Sequence, residues 1–94
     1  MFSVSIGSNK EIRLAGRLDA SQVATAKEAL DRIAGSGTVD FTDLEYISSA
    51  GMGVLLATQK RLMASGNKLT LINLNKHIRD IFGYAGFDKV FEIR

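Results

Sequence analysis

The hydrophobic period of this chain changes repeatedly, and that alternation restricts its fold more than any single residue does. Phe2, Val4 and Ile6 alternate with serines, and after Gly7-Ser8-Asn9-Lys10 the alternation resumes at Ile12, Leu14 and Gly16. Two period-2 runs across a turn-rich tetrapeptide predict a β-hairpin with strands near 2–7 and 11–16. Between Asp19 and Ala34 the period becomes helical at Val23, Ala26, Leu30 and Ile33, with Asp19 or Ser21 available as N-cap and Gly35 as the stop. Thr38-Val39-Asp40-Phe41 predicts a short buried strand that ends in acidic residues. Leu55, Leu56, Gln59, Leu62 and Met63 mark a second helix, which starts at Ser48 or Ser49 and runs to Ser65-Gly66-Asn67. Residues 68–73 predict another strand, Ile78, Ile81, Phe82 and Ala85 a short helix stopped by Gly86, and Val90 to Ile93 a last short strand. Strands that alternate with helices in this β-β-α-β-α-β-α-β order demand parallel, right-handed crossovers. The expected fold class is α/β: one domain over residues 1–94, with a mixed four- to five-stranded sheet and one-faced helices packed mainly on one side.

Composition narrows the function by exclusion. A chain of 94 residues buries only roughly 60–65% of its unfolded surface. Its 46% apolar content therefore goes into a single core, with little left to line a deep substrate pocket. Cysteine is absent and His77 is the only histidine, so no disulfide framework, thiolate, zinc site or catalytic triad is expected. His77, beside Lys76 and Arg79 near a helix start, is expected to be a solvated or capping side chain, and Asp40, Asp43 and Glu45 are expected in solvent in a loop ahead of the second helix. No catalytic residue, metal ligand or cofactor is assigned, and the chain is not expected to be an enzyme. The first residues lack a basic segment followed by an apolar run, and no apolar stretch approaches the ~20 residues of a membrane span. A cytoplasmic location without membrane insertion is expected. The net charge of +2 is small and its cations are interspersed with acids, so there is no electrostatic footprint for nucleic acid.

Crossovers of one hand bring the loops after successive parallel strands to the same end of the sheet, where ligand and partner sites concentrate. Two such loops are Leu18-Asp19-Ala20-Ser21 and Tyr46-Ile47-Ser48-Ser49-Ala50-Gly51. They are expected to form one rim that presents an acid and a pair of hydroxyls. Unpaired N–H groups and the helix dipole at the start of the second helix favour an anion near Ser49. The same residues also fit a plainer role, in which Ser48 or Ser49 is an N-cap and Gly51 and Gly53 let the helix pack closely on the sheet. Gly51-x-Gly53 is not a dinucleotide fingerprint, and no Gly-Lys-Ser/Thr phosphate loop is present.

The segment Asp40-Phe-Thr-Asp-Leu-Glu-Tyr-Ile-Ser-Ser-Ala-Gly-Met-Gly-Val-Leu-Leu56 resembles the signature of STAS domains, the anti-sigma factor antagonists of bacteria. Gly16-Arg-Leu-Asp19 before the first helix and Ile78-x-x-Ile81-Phe82-x-x-Ala85-Gly86-Phe87 near the end follow in family order, so the resemblance covers nearly the whole chain. Many members have Asp-Ser-Ser-Gly where this chain has Ser48-Ser49-Ala50-Gly51. The resemblance implies phosphorylation of Ser49 by a partner that is both anti-sigma factor and serine kinase, with a serine phosphatase for the reverse step. It further implies that the unphosphorylated rim of Asp19, Ser48, Ser49, Ala50, Gly51, Met52 and Gly53 docks on that partner and releases its sigma factor or a related output regulator. In that docking Met52 serves as an exposed apolar anchor, and Ala50 and Gly51 allow close approach. The alternative is a constitutive STAS subunit of a larger assembly, such as a lipid-transport complex or a stressosome-like scaffold, in which the same rim binds without phosphoryl switching.

Overall fold

The two alternating runs at the N-terminus pair as an antiparallel hairpin of β1 (Phe2–Ile6) and β2 (Ile12–Leu18) in a computed structural model that describes residues 1–94. Glu11 closes the turn: its backbone carbonyl accepts from Gly7 N at 2.8 Å and its side chain from Asn9 N at 3.0 Å. The chain continues through a 3₁₀ turn (Ala20–Gln22) into α1 (Val23–Leu30), then β3 (Gly37–Ile47), α2 (Ser49–Met63), β4 (Leu69–Ile72), α3 (Lys76–Tyr84), a second 3₁₀ turn (Phe87–Lys89) and β5 (Glu92–Ile93). The strands stand side by side in chain order, β1-β2-β3-β4-β5, with every pairing after the hairpin parallel. This is the mixed α/β sheet that the periodicity requires, with five strands.

Burial shows why the helices share one side. Ile12, Leu14 and Leu18 of β2, Val39, Phe41, Leu44 and Ile47 of β3, and Leu69 and Leu71 of β4 are buried in one core. Ala26 and Leu30 of α1, Met52, Val54, Leu55 and Leu62 of α2, and Ile78 and Phe82 of α3 fill that core from above. Phe82 meets Phe41 edge-on at 6.0 Å between ring centroids and Phe87 at 5.7 Å, the T-shaped arrangement that aromatic quadrupoles favour. The opposite face carries Arg13, Arg17, Thr42, Asp43 and Glu45, all exposed. Gly16 is needed where β1 crosses β2: its φ is +87°, and a Cβ there would lie 1.6 Å from the Met1 carbonyl oxygen.

Two elements differ from the sequence expectation. The predicted helix over 19–34 is shorter, because Asp19 caps the 3₁₀ turn rather than α1, and Arg61 of α2 donates to the Leu30 and Ile33 carbonyls at 3.1 and 3.0 Å. That guanidinium satisfies carbonyls at and beyond the end of α1. The larger difference is β3, which extends to Ile47 where a loop was expected after Phe41. Arg13 and Ala15 of β2 pair with Asp40 and Asp43, and Gly16 and Arg17 pair with Leu44 and Tyr46, so β3 carries an extra residue at each of two bulges. Its inward residues Val39, Phe41, Leu44 and Ile47 consequently lose strict alternation, and Asp40, expected in solvent, is 8% exposed.

Candidate functional site

The rim is assembled by backbone at the ends of β2 and β3. Ser48 N donates to Leu18 O at 2.9 Å, which ties the start of α2 to the residue before Asp19. Gly51, one turn into α2, packs against the same place: a Cβ on it would lie 2.8 Å from Leu18 Cγ, 2.9 Å from Ile47 Cγ1 and 3.1 Å from Leu18 O. Only glycine allows the helix to start this close to the sheet, and the Asp19 and Ser48 loops are thereby brought together as expected.

The two serines divide the roles that the sequence left open. Ser48, with extended backbone, is the N-cap, and its hydroxyl accepts from Gly51 N at 3.2 Å. Ser49 is the first helical residue; its side chain is exposed and makes no hydrogen bond within the chain. Its own N–H and that of Ala50 are among the orphan donors of the helix start, so the hydroxyl stands where a developing negative charge is stabilised. Asp19 accepts from the Ser21 hydroxyl at 2.5 Å and Ser21 N at 3.0 Å. Those bonds, led by the hydroxyl, hold its carboxyl below the usual carboxylate range against the opposing effect of partial desolvation.

The remaining rim residues separate by burial. Ala50 and Gly53 are exposed, and with Ala57 they begin a groove of about 380 Å³ between α2 and α1 that also meets Lys27, Asp31 and Arg61. Met52, expected as an exposed anchor, is 7% exposed and belongs to the core. The correction follows from the Gly51 contact: with Gly51 pressed on Leu18 and Ile47, the next residue of the helix is turned inward as well. Gly51 is buried too and gives close approach to the sheet, not to a partner.

Two features beside the rim were missed in the sequence. Arg17 stacks on Tyr46 with its guanidinium carbon 4.3 Å from the ring centroid, which places a cation near Asp19. The register pairing Arg17 with Tyr46 depends on the second bulge, so no local pattern announces the contact. On the same open face Asp40 accepts from Thr42 N at 2.9 Å, Thr42 Oγ1 at 2.6 Å and Asn73 Nδ2 at 3.2 Å, with Arg13 Nε 4.0 Å away. Burial pushes the Asp40 carboxyl up, yet these donors together hold it below its ordinary value. No group of three His, Cys, Asp or Glu side chains is placed to hold a metal ion, His77 is exposed, and no helix is long and apolar enough to cross a membrane.

The mixed five-stranded sheet with its helices places the chain in a class of small α/β domains. Residues 3–93 match the family model described as Mlab, STAS domain. The chain is 31% identical to the anti-sigma-B factor antagonist of Listeria monocytogenes over 88 residues, 89% of this chain and 77% of that one. It therefore belongs to the STAS domain family of anti-sigma factor antagonists. It is also 38% identical to BtrV, a candidate anti-sigma factor antagonist of Bordetella bronchiseptica, over 55 residues; these span 58% of this chain and slightly under half, 47%, of that protein. Among solved structures, the Bacillus cell fate determinant SpoIIAA in its phosphorylated form superposes with a TM-score of 0.71 at 18% identity, covering 100% of this chain and 91% of that one. At that identity the likeness concerns the fold.

Proposed function

We propose that this protein is a phosphorylation-switched binding module that, when Ser49 is unmodified, docks on an anti-sigma factor which is also a serine kinase and releases its sigma factor or related output regulator. The observation that carries this reading is the division of labour between the two serines: Ser48 supplies the cap, which leaves the Ser49 hydroxyl exposed and unbonded at the helix start. The anti-sigma factor antagonists among its relatives and the existence of a phosphorylated SpoIIAA with this fold support it. The docking surface is the exposed Ser49, Ala50 and Gly53 with the half-buried Asp19 and Ser48, and Gly51 and Met52 are the buried base that holds it in place.

Phosphorylation adds about −1.5 to −2 charges. Within the domain that charge meets the free N–H groups and dipole of α2, so the fold survives. Toward the partner it adds to the ionised Asp19 carboxylate and opposes acids or nucleotide phosphates across the interface. A serine phosphatase resets the switch. The test is incubation with ATP and the cognate kinase, followed by mass spectrometry. Phosphate is expected on Ser49, with Ser49→Ala still binding and Ser49→Asp folding normally yet binding less well. Phosphate on Ser48, or full binding by Ser49→Asp, overturns the switch in favour of a constitutive subunit that uses the same rim.

A further inference from the structure

The end of α2 remote from Ser49 carries a surface that the switch does not use. Between the last turns of α2 and the β4–β5 edge lies a shallow groove of about 520 Å³, the roomiest concavity of the molecule. Its base is rigid: buried Phe91 lies there, and the buried Gln59 amide donates to Val90 O at 2.7 Å while its carbonyl accepts from Leu69 N at 2.8 Å. Met63 and Val90 line it and remain 58% and 39% exposed, although Met63 falls within the apolar run that predicted the helix.

The charges around this apolar floor are unbalanced. Lys68 and Lys89 line the groove with Glu92 as its one acid, and Glu92 is already paired with both Lys68 and Arg94. Lys89 has no ion pair, nor has Lys60, which precedes Met63 by one helical turn and stands outside the groove's lining. Asp88 neighbours Lys89 in sequence but does not line the groove. Exposed apolar side chains beside an unpaired lysine complement a ligand that is apolar on one side and acidic on the other. The apolar surface is concave, which suits an inserted side chain better than the flat plane of a bilayer.

We propose that this groove is a second docking surface, which takes an acidic, apolar-anchored segment of a protein partner whatever the state of Ser49. Independence follows from distance. Along a helix rising 1.5 Å per residue, Met63 lies roughly 20 Å from Ser49, about two Debye lengths at physiological salt. A phosphate at one end is therefore screened from the other. The domain could thus hold one protein constantly while it exchanges another at the rim.

The probe is a synthetic acidic amphipathic peptide, with leucines at i and i+4 and glutamates between, titrated into isotope-labelled protein and followed by NMR. Saturable shifts are expected at residues 59–68 and 88–92, weakening with salt. The affinity is expected to be at least about tenfold lower in a Met63→Glu, Lys89→Glu double variant and unchanged in Ser49→Asp. Both substituted residues are exposed, so the double variant should fold, which its melting curve checks. The proposal is overturned if no shifts appear, if they fall on the Ser49 rim, or if a lysine-for-glutamate peptide binds equally. It is equally overturned if the protein binds phosphatidylglycerol vesicles but not the peptide, or if Met63→Glu abolishes a self-association seen by sedimentation. Failure at the groove leaves Ser49 phosphorylation and partner binding at the rim intact, so the two readings fail separately.

Discussion

The two ends of α2 are held to their neighbours by opposite means. At the N-terminal end, Gly51 brings helix backbone against Leu18 and Ile47, and the surface above is made of small residues: Ser49, Ala50 and Gly53. At the C-terminal end, long side chains span a gap, with Gln59 reaching Val90 O and Leu69 N, and Arg61 reaching Leu30 O and Ile33 O. Close backbone contact produces a fixed rim whose outward Ser49 hydroxyl stands clear of the packing beneath. Side-chain bridges leave space between elements, and that space is the groove beside Met63.

The most severe way to break this comparison is to detach the whole helix. Leu55 is fully buried between the two ends, and Leu55→Asp puts an unpaired charge in the core at a cost of several kcal/mol. Against a total stability of about 5–15 kcal/mol, the variant is expected to be unfolded by circular dichroism. Gly51→Ala is next. Its methyl group would press on Leu18 and Ile47, and a loss of about 1–3 kcal/mol is expected in urea titrations. Gly53→Ala meets nothing within 4 Å and should instead gain up to about 1 kcal/mol from helix propensity. Similar losses at both glycines would erase the distinction between the buried and the exposed side of the rim.

At the other end Gln59→Leu keeps the volume but strands a buried N–H at Leu69 and the carbonyl at Val90. A loss of about 1–3 kcal/mol is expected, together with loosening of the groove, visible as faster amide exchange at Leu69. The strand that feeds the rim is tested through pH. The Asp40 carboxyl is held below its ordinary value in the folded protein, so its stabilisation is fully present above about 3.8, the unfolded value. It is lost as pH falls through the lower folded value. Asp40→Asn is expected to cost on the order of 1–2 kcal/mol at neutral pH. The gap between parent and variant should then close on acidification, and a gap that widens would refute the ionised assignment.

The smallest effects separate the two serines. Ser48→Ala removes the cap and should cost about 1 kcal/mol, whereas Ser49→Ala should leave the melting temperature unchanged, because its hydroxyl bonds to nothing in the chain. A loss at Ser49 equal to that at Ser48 would mean that both hydroxyls serve the cap.

What could be read along the chain was whatever depends on local spacing. The hairpin, the helical stripes of α1, α2 and α3, and the serines at the head of α2 all declare themselves within one or two turns or strand pairs, because side-chain direction repeats with a fixed local period. The second half of β3 does not. Two bulges space its inward residues at intervals that alternate with nothing, and only pairing with β2 shows that 42–47 is strand. The same bulges fix which residues stand opposite each other, so the Arg17–Tyr46 stack and the burial of Asp40 follow from register and not from neighbours in sequence.

The amino-acid sequence by itself therefore determined the order of elements and the place of the rim, since periodicity acts locally and parallel crossovers bring the same loops to one end of any such sheet. Tertiary structure decided which of the two serines caps the helix and that Met52 is turned into the core while Met63 stays out. These are questions of how closely two elements approach. The approach at Gly51 is set by Leu18, more than thirty residues earlier in the chain, and no local pattern carries that distance.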